Sequence, residues 1–277
     1  MMRALRLHLR ALLEFFIRDT KIALSYRLSA VLQIAAMFSL AVTFFFLSLM
    51  MKSVEGNIPS LARYGGSYFA FSLVGLAVSL YIEASLRSFS ISVRTAQMTG
   101  TFEAMLVTRT PIGVVVLGSA LYSLTYTGLR SAILLAMGAG VFGMPLYLHE
   151  WPTLLLVVGL TVVATMALGI FSAGFIVLFK QGDPLTAAIS GLSWLLSGVL
   201  YPKEILPLPV QALARLLPMT HTLEALRQLL LLGAPPSAIE GSIAGLAIFG
   251  AVGLPLSLAW FAWSVGRARI AGSLARY

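Results

Sequence analysis

What most constrains this chain is a succession of six long apolar runs. Residues 30–50, 66–86, 112–142, 152–179, 185–201 and 239–265 are nearly free of charge, and short polar connectors separate them. A helix rises about 1.5 Å per residue, so crossing a hydrocarbon layer about 30 Å thick takes about 20 apolar residues. The pattern predicts an all-α membrane protein with six transmembrane helices. Composition closes off the soluble alternative. The chain is 59% hydrophobic and 10% charged, against about 25% charged for a soluble domain, and no single aqueous core could hide that much apolar surface. No period of repeat length is visible, so residues 1–277 read as one membrane domain. Its parts are an amphipathic N-terminal helix over 1–28, a bundle over 30–265 and a basic tail over 266–277.

A net charge of +9 would direct a soluble protein toward nucleic acid, but here its placement gives another meaning. With the N-terminus in the cytosol, thirteen of the nineteen Lys and Arg residues fall in inward-facing segments. Five, Lys52, Arg63, Lys203, Arg215 and Arg227, fall in outer loops. Cytosolic loops carry the basic excess, so both termini are expected inside, with membrane lipids and not nucleic acid as the partner of that charge. Near the N-terminus, Leu5, Leu9, Leu12, Leu13, Phe16 and Ile17 form an apolar stripe opposed by Arg3, Arg6, Arg10 and Arg18. That is the pattern of a helix lying in the interface, or of a basic flank that orients the first span.

Two connectors differ from the rest. The cytosolic one, from Arg87 to Pro111, predicts a short helix capped by Thr99 or Thr101. Glu103 stands in its first turn and Phe102, Met105 and Leu106 on one face, and Pro111 ends it. The outer one, from Tyr201 to Glu240, is too apolar for a solvated loop. It predicts two short helices that re-enter the outer leaflet between spans five and six, the second running from about Thr220 to Leu232 and stopped by Gly233.

A search for chemistry finds little. Cysteine is absent. Ser193 and His221 could pose as a dyad, yet the residues around Ser193 lack the second glycine of a nucleophile elbow, and a packing serine is the plainer reading. His149 with Glu150, and His221 with Glu224, lack the spacing that sets two imidazoles on one helical face. No catalytic residue and no metal or cofactor site is expected in this chain, and no glycine-rich phosphate loop followed by Lys occurs in it. Two charges lie within spans. Arg130 is near the middle of the third, where it should face protein or water, either bonding groups such as Thr125 and Thr127 or touching cargo. Glu83, near the end of the second, can pair with Arg87 one turn on or with a neighbouring subunit. Gly241 and Gly245 make a G-x-x-x-G contact motif. Aromatic residues at 44–46, 64, 68, 69, 71, 194 and 201 suit interfacial belts and lipid contact.

Two stretches together carry a family likeness. Residues 94–111, with Gly100-Thr101-Phe102-Glu103 and Thr110-Pro111, resemble the G-T-x-E-x-L-x-x-T-P segment of ABC-2 type transporter permeases. Ser197-Gly198 through Pro202 and Pro207, then Pro218 with Glu224 and Arg227, resemble that family's outer S-G-x-x-x-P region and its E-x-x-R. Arg109 lengthens the first motif, and Leu217 replaces a frequent Asn in the second.

The resemblance implies one permease of a homodimer or heterodimer, carrying ABC ATPase subunits that bind ATP and Mg, in a cell membrane that for a bacterium is the inner one. It also implies that residues 1–28 form a connecting helix and that Gly100, Thr101, Phe102, Glu103, Met105 and Leu106 form a coupling helix seated on the ATPase. By the same resemblance the protein is an exporter. An amphipathic, lipid-like, drug-like or glycan substrate would pass along spans one, two and five, near Phe45, Tyr68, Phe69, Trp194 and Tyr201. An ion-coupled transporter would want carboxylates deep in the spans, to which Glu83 near one span end is the nearest approach, and an intramembrane enzyme would want the reactive pairs already searched for.

Overall fold

The computed structural model describes residues 25–55, 59–98, 112–179 and 184–270, together with Glu14, Phe16, Ile17, Thr20 and Lys21. The coupling segment Gly100 to Leu106 lies outside the described residues, as do most of residues 1–28 and the last seven residues of the tail. The described chain is built of helices: α1 (Arg27–Glu55), α2 (Pro59–Ala62), α3 (Tyr68–Met98), α4 (Ile112–Phe142), α5 (Trp151–Phe179), α6 (Pro184–Leu196), α7 (Leu208–Ala214), α8 (Pro218–Leu232) and α9 (Glu240–Ile270). Single 3-10 turns stand at Lys203–Ile205 and Pro236–Ile239.

Among the described residues, five apolar segments of 23 to 33 residues, carried by α1, α3, α4, α5 and by α9 with the 3-10 turn before it, are long enough to cross a bilayer. Helix α3 is the axis of the bundle. It packs on α4 and α5, and to a lesser extent on α1, α6 and α8, while α5 and α9 form the other principal pair. The consequence is uneven burial: 78% of the apolar segment of α3 is buried inside the protein, against 17% for α1, which stands at the periphery. Phe71, Leu73, Val74, Leu86 and Phe89 of α3 are fully enclosed. Without a hydrophobic drive between helices in lipid, such close packing and its hydroxyl bonds hold the bundle together.

The structure departs from the sequence reading in two places. Helix α3 continues to Met98, about three turns past the expected end at residue 86. Nothing in Arg87 to Met98 breaks a helix, and Phe89, fully buried, keeps that extension packed, while the Ser90 hydroxyl bonds Thr186 at 3.1 Å. Conversely, the fifth apolar run, expected over 185–201, is helical only from Pro184 to Leu196. Thirteen residues rise about 20 Å, short of a full crossing. The helix stops where Gly198 adopts φ +73°. A turn, Pro202 and the Lys203–Ile205 3-10 turn then lead into α7 and α8, and α8 is largely buried against α3, α5 and α9. Pro218 starts α8, where a missing N–H costs nothing, and Gly233 ends it in a left-handed cap. These connector helices form a cap at the end of the bundle where α3 begins.

Candidate functional site

Helices α3 and α6 lie side by side. Ser90 bonds Thr186 at one end of their contact, and at the other Gly75 faces Val199 so closely that a Cβ on Gly75 would stand 2.1 Å from the Val199 carbonyl oxygen. Between these points the helices enclose a cleft of about 290 Å³. Helix α3 offers Ser79, Glu83 and Arg87, one turn apart and so on one face, and α6 offers Ser190 and Trp194 at the same spacing. Gly191, without a side chain, leaves room, and Met219 of α8 closes the cap end.

The cleft is mostly apolar, with a few polar groups set into it. Arg87 donates to Glu83 at 2.9 Å, with both side chains about half exposed, and the two charges neutralise each other. Ser79 donates to the Gly75 carbonyl, while the Ser190 hydroxyl is buried with no hydrogen-bond partner, a group that a guest could satisfy. Trp194, 41% exposed, presents an indole face beside it. An ion pair, hydroxyls and an aromatic plane within one small cleft suit the polar portion of an amphipathic molecule.

The cap is fixed by a residue that the sequence reading counted among the outer-loop charges and as the Arg of the E-x-x-R motif. Arg227 of α8 is 3% exposed. Its guanidinium donates to the carbonyls of Gly198 at 2.9 Å, Val199 at 2.7 Å and Phe71 at 3.2 and 3.3 Å, and its carbon lies 3.4 Å from the centroid of the Phe71 ring. The break after α6 leaves carbonyls without helical donors, and the planar five-donor fork of arginine serves them together. Glu224 pairs with Lys203, and Arg63 approaches Glu204 at 3.7 Å. Tyr64, in the turn before α3, packs on Phe71; its burial, and secondarily Glu224, push the phenol up to about 12. A signal for Arg227 existed in the sequence, since it stands on the leucine face of α8 with Leu223, Leu226 and Leu230, three residues beyond Glu224.

Other expected residues are placed as follows. Phe45 and Phe69 meet at 5.6 Å and both approach Phe142, forming an aromatic cluster between α1, α3 and α4, in which Phe69 is 5% exposed. Tyr68 packs at the start of α3 against the Leu61, Tyr64 and Phe71 cluster. The Tyr201 hydroxyl donates to the Leu195 carbonyl. Arg130 faces neither Thr125, which bonds the Leu121 carbonyl, nor a carboxylate among the described residues; its guanidinium lies 6.0 Å from the Tyr126 ring, and its Nε is buried without a hydrogen-bond partner. His221 donates to the Arg215 carbonyl at 2.8 Å and packs on Gly245 of the G-x-x-x-G pair, while Ser193 sits at the α3–α6 cleft. Among the described residues no three His, Cys, Asp or Glu side chains converge as a metal site would need.

Comparison with known proteins agrees with this architecture. Residues 15–231 match the family described as ABC-2 type transporter. The chain is also similar to Nodulation protein J of Rhizobium leguminosarum bv. trifolii, 29% identical over 211 residues that cover 72% of this chain and 76% of that protein. Nodulation protein J of Rhizobium meliloti (strain 1021) is 29% identical over 206 residues, covering 70% and 74%.

Proposed function

This chain belongs to the ABC-2 type transporter family and is a transmembrane transporter subunit, and from that premise we propose that it is one of two permease subunits of an exporter driven by separate ABC ATPase subunits. ATP and Mg belong to those partners. Both termini face the cytosol, since thirteen of nineteen basic residues then lie inside. The membrane is the cell membrane, the inner one in a bacterium.

A sixth crossing is supported by α6 together with the chain that follows it. From Thr186 to Val199 they accompany α3 from Ser90 to Gly75, fifteen residues or about 22 Å of the α3 axis, and the Arg227 cap fills the remaining depth. Backbone without helical bonds is tolerated at such depth only where protein satisfies it, as Arg227 does for Gly198 and Val199.

The observation that carries the functional reading is the cleft between α3 and α6. In this reading an amphipathic, lipid-like, drug-like or glycan cargo passing between two subunits meets Glu83, Arg87, Ser190 and Trp194 there. Cargo moves outward beneath the cap, and the stroke enters through the 100–106 helix, docked by Phe102 and Glu103 in a groove of the ATPase. A rigid amphipathic helix transmits displacement that a loose loop would absorb. The test is a Phe102→Ala, Glu103→Ala double variant in the assembled complex. Cargo-stimulated ATP hydrolysis should collapse while the permease still folds; full stimulation in the double variant would overturn the docking assignment.

A further inference from the structure

Away from the cargo cleft, α1, α4 and the described residues ahead of α1 enclose a cavity of about 650 Å³. One wall is the Tyr122 and Tyr126 pair of α4, stacked at 5.6 Å, with Phe16 packed on Tyr122 at 6.2 Å. Arg27, the first residue of α1, stands at the mouth, and none of the described lining residues is Asp or Glu. At the deep end the Tyr126 hydroxyl donates to Gln33 Oε1 at 3.0 Å, and Gln33 Nε2 donates to Ser29. Arg130 follows one turn beyond. Helical side chains lean toward the N-terminus, so its guanidinium reaches back to Tyr126, 6.0 Å from the ring, with Nε buried and unpartnered.

A cation at the mouth and a second one turn past the deep end, about 10 Å away, with hydroxyls and an amide between them and no carboxylate among the described lining residues, favour an anion. Leu129 of α4 lines the cavity and is exposed, and Ile34 of α1, next to the lining residue Gln33, is exposed too; both lie within apolar spans, so the anion's carrier has hydrocarbon attached. We propose that this seam binds the phosphate of a membrane lipid from the leaflet at the Arg27 end, with the phosphate between Arg27 and Arg130 and an acyl chain against Leu129 and Ile34. Bound there, the lipid bridges α1 and α4. The site stands on the seam's own geometry and is independent of the cargo cleft.

The test uses the full chain, purified with the subunits that accompany it, and counts retained lipid by native mass spectrometry during titration with phosphatidylglycerol, phosphatidylcholine or diacylglycerol. Both phospholipids should leave one tightly held molecule per chain and diacylglycerol none. Arg130→Gln should weaken phospholipid retention about tenfold, the loss of one charge-assisted hydrogen bond, while Arg130→Lys loses less. Should Arg130→Gln not fold, Arg27→Gln combined with Tyr126→Phe carries the same expectation, because Arg27 is exposed. Equal retention of diacylglycerol, or wild-type phospholipid retention in these variants, would overturn the site. Displacement of the lipid by millimolar inorganic phosphate would overturn its assignment to lipid in favour of a soluble anion.

Discussion

Replacing Arg227 with methionine, which keeps the length and apolar stem but removes every donor, should detach the cap from the bundle. Four guanidinium hydrogen bonds to three carbonyls are lost. Phe71 lies in the first turns of α3, where its carbonyl keeps a helical N–H donor, so its loss is the smaller one. Gly198 and Val199 lie in the break after α6 and have no such substitute. Leaving two buried carbonyls unsatisfied costs about 1–3 kcal/mol each, so the variant should lose about 2–6 kcal/mol. For a chain of this length each kcal/mol corresponds to about 2–4 °C in melting temperature, giving a fall on the order of 10 °C. Differential scanning fluorimetry in one detergent, with limited proteolysis of the 197–217 segment, measures both the fall and its location. Arg227→Lys should fall between, because one ammonium cannot reach carbonyls on both α3 and the break. A methionine variant that melts within 2 °C of the parent, with the segment still protected, would refute the tether.

The same junction predicts that Gly75→Ala is costly, since its Cβ would meet the Val199 carbonyl oxygen at 2.1 Å; overpacking against backbone typically costs about 1–3 kcal/mol and should show in the same melting assay. Glu83→Gln should change stability by less than about 1 kcal/mol, because the pair with Arg87 is half exposed, yet should alter cargo-stimulated ATP hydrolysis, separating a role in the cleft from one in folding. Tyr64 supplies a pH test. Its phenol is raised in the folded protein to about 12 from the ordinary 10, so the neutral form is the one the fold favours. That contribution is complete below pH 10 and is lost as the pH rises toward 12, and Tyr64→Phe should flatten the decline of melting temperature over this window.

How much was legible follows from the kind of signal each feature leaves. Apolar run length locates α1, α3, α4, α5 and α9, because lipid imposes a minimum span that composition must meet. The same signal overextends the fifth run, since Val199, Leu200 and Tyr201 remain apolar after the helix has ended at Leu196; the Ser197-Gly198 pair and the distant Arg227 decide that end, and run length is blind to both. Helix α8, its proline start and its Gly233 stop are local and were readable. Phe69 and Trp194 show the limit for site residues. Both are large apolar aromatics in spans, and only the packing of α1 and α4 around α3 puts Phe69 in a core cluster while Trp194 stays at an open cleft. Arg227 was visible as a residue and as part of a motif, but its role depends on carbonyls 28 and 156 residues away in sequence.

The central claim is that this chain is the passive membrane half of a motor-driven transporter. It is tested most directly by measuring ATP hydrolysis twice, by the purified chain alone and by the complex that co-purifies on an affinity tag placed on it. The account predicts no hydrolysis by the chain, and in the complex an accompanying polypeptide with a nucleotide phosphate loop whose hydrolysis depends on Phe102 and Glu103. Hydrolysis by the chain alone would contradict it. So would transport in proteoliposomes that an ion gradient drives with no ATPase present.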